Sequence, residues 1–214
     1  MVHVLPHWNW VGHEGQAIPV MVYSNADEVE LILNGVSLGR KHTRMEPVEL
    51  PVGPNVSETL KFSSKYRLLW QVPYQSGVLQ AVAFRAGVEV ARDKVTTAGA
   101  PARIRLVADR EEIASDGDDL AFVTVRIEDS NGNLCPMADS LVRFKVSGAG
   151  HIEAVDNGNA ASIEAFHADF RKAFNGLAML IVRSTSGRAG AIDVAADSDG
   201  LVSGRIPLNA PESR

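Results

Sequence analysis

The sequence predicts an all-β protein of two consecutive β-sandwiches, and three observations lead to this fold class. Short apolar runs rich in valine, isoleucine and leucine recur along the whole chain. Residues that favour turns separate these runs, which is typical of a sandwich rather than of packed helices. The chain has 214 residues, of which 45% are hydrophobic. It is therefore long enough to form two cores of about 100 residues each.

The first half contains seven predicted strands. Asn34 and Gly35 separate the third from the fourth, and this pair favours a type I′ hairpin turn because both central residues of that turn have positive φ. Prolines and glycine interrupt the pattern between residues 42 and 65, so we expect mostly loop there, with at most one short strand. The predicted strands are His3–Trp8, Ala17–Tyr23, Val29–Leu33, Val36–Lys41, Arg67–Val72, Val78–Phe84 and Val88–Thr96.

The second half repeats this organisation with seven more strands. Pairs such as Asp116-Gly117 and Asn131-Gly132 mark the turns between them, because these residue types tolerate left-handed backbone. The segment 165–172 could form a single helical turn, but it is too short to reveal a period. The predicted strands are Arg103–Ala108, Leu120–Asp129, Leu141–Val146, Gly150–Val155, Leu177–Arg183, Gly190–Ala196 and Leu201–Ile206.

A short connection separates the two halves. The strand pattern stops at TTAGAP, where Gly99 and Pro101 interrupt it, and a new apolar run begins at Ile104. Gly and Pro are the strongest local markers of such a break. We therefore expect two domains, residues 1–99 and 100–214.

Composition excludes several classes of partner. The chain has 21 Lys and Arg against 26 Asp and Glu, a net charge of -5 that is spread without blocks. We expect no nucleic-acid partner, because no basic face is evident. We expect no membrane insertion, because no apolar run approaches the roughly 20 residues that a spanning helix needs. The single cysteine, Cys135, excludes an internal disulfide or a thiolate zinc site, and we expect it to be an inert small side chain.

The stretch HVLPHWNWVGHEG holds three of the six histidines and two of the three tryptophans. On an extended strand His3 and His7 would lie about 13 Å apart, which is too far for one metal ion. Trp8 and Trp10 would project from the same face of that strand. They could fill a core or a contact with a neighbouring domain, or stack on a sugar ring. We interpret His7, Trp8 and Trp10 as core or interdomain contacts, with oligosaccharide contact as the alternative.

No catalytic constellation is evident. A glycosidase needs two carboxylates on opposite sides of the scissile bond, but the acidic pairs here lie in predicted turns or strand edges, where they are ordinarily solvated. Counted from Asp129, Gly132 is fourth and Ser140 twelfth, which does not fit a calcium-binding EF-hand. An irregular calcium site at residues 116–119 stays open as an alternative. No nucleophile elbow, phosphate loop or dinucleotide motif occurs, so we predict no catalytic residue, no metal site and no cofactor.

Several longer motifs carry a family resemblance. The run HVLPHWNWVGHEGQAIPVMVYSNADEVELILNGVSLGRK and the later Trp70–Ala81 stretch resemble the domain that follows the catalytic barrel in bacterial glycoside hydrolase family 2, chiefly β-galactosidases. The second half, with TAGAPARIRLVADR, VSGAG, VDNGN and FRKAFNGLAMLIVRS, resembles the immunoglobulin-like last domain of the same enzymes. Asn159 departs from the pattern, since an acidic residue is expected there. The resemblance implies two tandem immunoglobulin-like β-sandwiches.

The resemblance also implies a function. The catalytic glutamates of the family lie on a (β/α)₈ barrel, which we expect upstream of this chain, so this fragment alone is not expected to be an enzyme. We expect an accessory region of a β-galactosidase-like enzyme that supports the barrel, shapes its cleft rim or promotes homo-oligomerisation. Such enzymes are commonly exported, which favours a periplasmic or secreted location. The alternatives are an independent carbohydrate-binding module and an adhesin-like spacer.

Overall fold

The computed structural model describes residues 1–43, 47–51, 59–63 and 65–212, with backbone alone for 47–51 and 59–63. The chain divides into two compact units, Met1–Thr97 and Ala98–Arg214, against predicted domains of 1–99 and 100–214. The described residues form strands and connections without a helix, and none of them forms a helix long and apolar enough to cross a membrane. The all-β fold class is therefore confirmed.

The first unit is a sandwich of a three-stranded and a four-stranded antiparallel sheet. The sheets have the strand orders β1-β2-β7 and β4-β3-β8-β9, and β5 pairs with β6 in a separate hairpin. Alternate residues of β2 and β3 point inward, where valine, isoleucine and leucine from both sheets form one core. The strands are β1 Val2–Leu5, β2 Ala17–Ser24, β3 Glu28–Leu33, β4 Val36–His42, β5 Pro47–Pro51, β6 Thr59–Ser63, β7 Arg67–Pro73, β8 Val78–Arg85 and β9 Val88–Thr96.

Two predictions for the first unit are wrong. The first strand ends at Leu5 instead of Trp8, because Pro6 has no N–H to donate to the ladder. The irregular segment after His42 contains two paired strands where at most one was expected. Two of its prolines, Pro47 and Pro51, occupy the two ends of β5, which is where a ladder tolerates them.

The second unit is a sandwich of two four-stranded antiparallel sheets. Their strand orders are β10-β11-β15-β13 and β14-β12-β16-β17. Apolar side chains from the inner faces of both sheets form a second core, separate from that of the first unit. The strands are β10 Arg103–Ala108, β11 Leu120–Glu128, β12 Leu141–Gly148, β13 Gly150–Asp156, β14 Phe170–Lys172, β15 Leu177–Ser184, β16 Gly190–Asp197 and β17 Gly204–Ala210.

The second unit differs from what the sequence suggested in two places. The helical turn that the sequence left open at 165–172 does not form; residues 170–172 are strand β14, which pairs with β12 and alternates exposed, buried, exposed. The last strand begins at Gly204 instead of Leu201, because a turn closed by the Leu201 N–H and the Ser198 carbonyl occupies the preceding residues. Its pairing with β16 then places Leu208 in the core.

The β3–β4 hairpin turn is hydrogen-bonded to the turn that connects β7 to β8. Asn34 and Gly35 have φ values of 49° and 83°, so the predicted positive φ at both positions is confirmed. The Asn34 side chain accepts the Val78 N–H at 2.8 Å and donates to the Ser76 carbonyl at 3.0 Å. Gly77 lies beneath it with φ +139°, and a Cβ there would fall 1.9 Å from Asn34 Oδ1. The glycine is therefore required by both backbone conformation and space.

We predict that Gly77→Ala destabilises the first unit more than Gly87→Ala does. Gly87 also has positive φ, of +78°, but a Cβ there would meet nothing within 4 Å. Strain alone predicts about 1–2 kcal/mol for Gly87→Ala, and the added collision predicts roughly 3 kcal/mol or more for Gly77→Ala. All three tryptophans lie in the first unit, so tryptophan fluorescence during urea unfolding measures this unit specifically. Equal losses for the two variants would contradict the packing argument.

One carboxylate organises the start of the second unit. Asp129 is buried, and its oxygens accept the N–H groups of Gly99, Asn131 and Asn133 at 2.8–2.9 Å and the Asn133 side-chain amide at 3.0 Å. Burial by itself would raise the pKa of Asp129, but these hydrogen bonds outweigh it and lower the pKa from 3.8 to about 2. The ionised carboxylate therefore ties the connection at Gly99 to the turn after β11.

We predict that Asp129 makes the second unit acid-sensitive. Because its folded pKa lies below the unfolded value, its stabilisation is present above about pH 4 and is lost as the pH falls through 2. Asp129→Asn should cost roughly 2 kcal/mol or more at neutral pH and flatten this acid dependence. The exposed Asp199→Asn, whose side chain is 96% accessible, is the matched control. Calorimetry suits the measurement, since the second unit has neither Trp nor Tyr; an unchanged acid dependence in Asp129→Asn would contradict it.

Candidate contact site around His7 and Trp10

The predicted site residues lie in the connection between β1 and β2. Backbone hydrogen bonds of 2.9 Å from His13 to Trp10 and from Gln16 to His13 close two successive turns. Gly15 donates to the Tyr74 carbonyl, and Tyr74 donates back to Gln16, which fixes the end of the connection to the residue after β7. The sequence folds this way because Gly12 and Gly15 supply the positive φ values that the turns need.

Trp8 is fully buried in the core of the first unit. Its ring meets Tyr74 edge-on, with centroids 5.3 Å apart, and its indole N–H donates to the Gln75 carbonyl at 2.9 Å. The Trp8 carbonyl in turn accepts the Thr97 hydroxyl at 2.6 Å. Trp8 is therefore a core residue whose indole N–H and carbonyl both have hydrogen-bond partners. A core position was one of the roles that the sequence left open for it.

Trp10 lies partly exposed above this core and packs between two histidines. Its ring stacks on His7 with centroids 5.0 Å apart, and His13 meets it edge-on at 6.2 Å. Its indole N–H donates to the His7 carbonyl at 3.0 Å. Burial lowers the pKa of His7, and the Asn9 N–H donates to His7 Nδ1. His7 is therefore neutral near pH 7, with its ring proton on Nε2.

Trp8 and Trp10, which the sequence predicted on one face of a strand, lie in different environments. The expectation that they share one strand face is wrong, because the strand ends at Leu5 and the chain turns between Trp8 and Trp10. Tyr74 and Gln75, which position Trp8, were not singled out individually from the sequence. The sequence feature that could have identified them is the W-x-VPY-x-x-G stretch, which includes both residues.

A shallow groove lies next to Tyr74 and Gln75. It encloses about 440 Å³ and is lined mainly by apolar side chains, with Asn34 and Gln75 as the polar groups. The Asn34 amide is already committed to the Ser76 carbonyl and the Val78 N–H. The groove is therefore suited to apolar contact with few directed hydrogen bonds. Its lining consists of Leu33, Asn34, Val36, Leu38, Pro73, Tyr74 and Gln75.

The acidic turn considered as an irregular calcium site has a different role. Asp116 accepts the N–H groups of Asp118 and Asp119 at 2.8 and 2.9 Å, and Asp119 accepts that of Ala114 at 2.8 Å. The two hydrogen bonds from the turn lower the pKa of Asp116. These carboxylates close their own turn, and no group of three or more His, Cys, Asp or Glu in the described parts of the chain is arranged to hold a metal ion.

Cys135 is buried in the second core, and its thiol faces the Gly99 carbonyl at 3.6 Å. Burial, followed by the negative charges of Asp129 and Glu128, raises the pKa of its thiol. The thiolate needed for nucleophilic reactivity is therefore disfavoured, which agrees with the inert role expected from the sequence.

Family models match both units. Residues 104–207 match the glycoside hydrolase family 2 C-terminal domain 5, and residues 15–91 match a domain of unknown function, DUF4982. A β-galactosidase of Bacteroides ovatus is 39% identical over 99% of this chain, which covers 23% of that protein. The chain thus spans about a quarter of the length of this relative.

Solved structures give the same result. A β-glycosidase from Bacteroides vulgatus matches 98% of this chain with a TM-score of 0.83 and 31% identity, and a family 2 glycosyl hydrolase from Bacteroides cellulosilyticus matches 98% with a TM-score of 0.79 and 38% identity. This chain covers 24% of each. The chain therefore belongs to the C-terminal region of glycoside hydrolase family 2 enzymes.

Proposed function

We propose that the chain is a non-catalytic accessory region of a longer family 2 glycoside hydrolase, in which it supports the (β/α)₈ catalytic domain. The observation that carries this proposal is the use of the acidic side chains. Asp116, Asp129 and Asp156 each accept backbone N–H groups of their own turns, and their pKa values are lowered. A glycosidase acid needs the opposite, a raised pKa. These carboxylates stabilise turns of a scaffold.

The site around His7 and Trp10 is suited to a contact with another domain. Trp8 anchors the connection from below, while Trp10 and His7 form a preformed aromatic pair at the surface. Val11, with 75% of its surface accessible, extends the apolar area beside them. Aromatic residues with an internally satisfied N–H lose little conformational entropy when a partner packs on them. We propose that this surface faces the catalytic domain.

The first test separates catalysis from support. The purified 214-residue chain should not hydrolyse nitrophenyl β-galactoside or β-glucuronide, whereas the longer polypeptide should. Deletion of these 214 residues from the longer polypeptide should lower its melting temperature. The deletion should not remove the catalytic groups, because we propose that they lie on the other domain. Hydrolysis by the 214-residue chain alone, abolished by substitution of one of its carboxylates, would overturn the proposal.

A second test uses the two tryptophans as a matched pair. In the isolated 214-residue chain, Trp8→Ala should destabilise the first unit by about 3–5 kcal/mol, because it leaves a cavity in the core. Trp10→Ala should cost the isolated chain much less, but should lower the melting temperature of the longer polypeptide further than that of the isolated chain. Val88→Ala, at a site 67% exposed on the β8–β9 hairpin, is the control. Equal effects of Trp10→Ala in both contexts would remove the proposed contact.

Carbohydrate binding is the second candidate, and the partly exposed Trp10 ring, on which a sugar ring could stack, favours it. The same Trp10→Ala protein tests it by NMR titration of the indole N–H signals with galactose, lactose and plant oligosaccharides. Saturable shifts in the wild-type chain that disappear in Trp10→Ala would support this candidate. Unchanged signals at millimolar sugar would exclude binding at this surface and leave the domain contact.

A further inference from the structure

The outer face of the sheet β10-β11-β15-β13 carries an apolar centre. Val107, Thr124 and Met179 lie side by side across three strands, and Phe122 lies opposite Ile181 in the next row. Val107 and Phe122 are 40% and 38% exposed. A shallow groove of about 420 Å³ runs over this centre and is bounded by residues 156–158. We call this surface the Phe122 face.

One end of the Phe122 face is basic. Arg105 lies directly opposite Arg126, and Arg103 lies opposite the buried Glu128. Glu128 accepts hydrogen bonds from Arg103 and Arg126, at 3.1 Å to each. Arg105 has no ion-pair partner within the described part of the chain. Two arginines therefore share one carboxylate, and the charge of Arg105, directly opposite Arg126, is left uncompensated, although like charges on opposed strand positions repel.

The other end of the Phe122 face is acidic. The segment 109–119, which connects β10 to β11, contains six carboxylates and one arginine, but its residues 111–113 lie beside Asn209 of β17 in the opposite sheet. Among the described residues, Arg110 and Arg183 are the cations within 4 Å of these carboxylates. Asp118 is 94% exposed. With Glu111 and Glu112 beside β17, the acidic residues left for this end of the Phe122 face are Asp109, Asp116, Asp118 and Asp119.

The outer face of the opposite sheet is mainly polar, although Phe170 on its edge strand β14 is 43% exposed. Its groove over β12, β16 and β17 is lined by charged side chains of both signs, including Lys145, Asp193, Asp197 and Arg205. That face is the ordinary solvated side of an antiparallel sheet. The Phe122 face differs in having exposed apolar side chains on two neighbouring strands, Val107 on β10 and Phe122 on β11, and such patches mark interaction sites.

We propose that the Phe122 face binds the same face of a second copy of this chain. A two-fold axis that lies in the interface and runs across the strands reverses the strand direction. It therefore brings the basic end of each copy against the acidic end of the other, while the apolar centres meet. An axis along the strands would instead place arginine on arginine. This inference does not depend on the proposed role in a glycoside hydrolase.

The size of the Phe122 face fits a weak dimer. Strands β11 and β15 have nine and eight residues, and at about 3.3 Å per residue and about 4.8 Å between four strands the face measures roughly 500 Å². Two copies would bury roughly 1,000 Å², near the lower limit for a specific interface. Residues 156–158, which bound the groove, are held in place at Asp156. The fully buried Arg171 donates to Asp156 at 3.0 Å and to the Glu164 carbonyl at 2.8 Å.

Sedimentation velocity of the 214-residue chain across micromolar to millimolar concentrations tests this proposal. The wild type should pass from monomer to dimer, and higher salt should weaken the dimer because its end contacts are ionic. Phe122→Asp should weaken dimerisation about tenfold or more, since it places a carboxylate in the apolar centre. Arg105→Glu should also weaken it. Val88→Asp, at an exposed valine of the first unit, is the matched control and should dimerise like wild type.

Each alternative result overturns the proposal. A wild type that stays monomeric at every concentration excludes self-association and leaves the Phe122 face for a different protein surface. A dimer that persists in Phe122→Asp and Arg105→Glu uses another face. Circular dichroism confirms that each variant is folded; if Phe122→Asp is not, Met179→Lys tests the same centre from the neighbouring strand.

Discussion

The first unit depends on the burial of Trp8 and on the hydrogen bonds that this burial requires. Its indole N–H needs the Gln75 carbonyl, and its own carbonyl needs the Thr97 hydroxyl. Thr97 also accepts the Gly77 N–H at 3.1 Å. The residue before Gly77 accepts from Asn34, and the residue after it donates to Asn34. One tryptophan thereby links the first connection, the β3–β4 turn, the β7–β8 turn and the end of β9.

This network explains where the recognisable motifs lie. HWNW, LNG and VPY-x-x-G are far apart in sequence, yet each supplies a residue to the same end of the sandwich. Strand positions need only an apolar side chain of suitable size, so many sequences satisfy them. A turn that must hold a glycine beneath an asparagine amide admits few alternatives. The second unit follows the same rule, with Asp129 as the central group at its turn.

The strands were the most predictable part of the fold, because their alternation follows directly from one buried and one exposed face. The end of β1 was mispredicted although Pro6 marks it, since the apolar pattern continues through Trp8. The different environments of Trp8 and Trp10 could not be predicted, because the partners of Trp8 lie 67 and 89 residues away. The three-residue strand β14 was equally inaccessible, since its existence depends on pairing with β12.

The two proposed contacts belong to different units, and this has a physical consequence. Each unit has its own core, so a substitution on the Phe122 face leaves the packing of Trp8 intact, and the reverse also holds. The surface around Trp10 presents a neutral histidine and an aromatic ring. An association through this surface should therefore be insensitive to salt. The Phe122 face has charged ends, which salt screens. Ionic strength therefore distinguishes the two contacts even in a polypeptide that uses both: a salt-sensitive association belongs to the Phe122 face, and a salt-resistant one to the surface around His7 and Trp10.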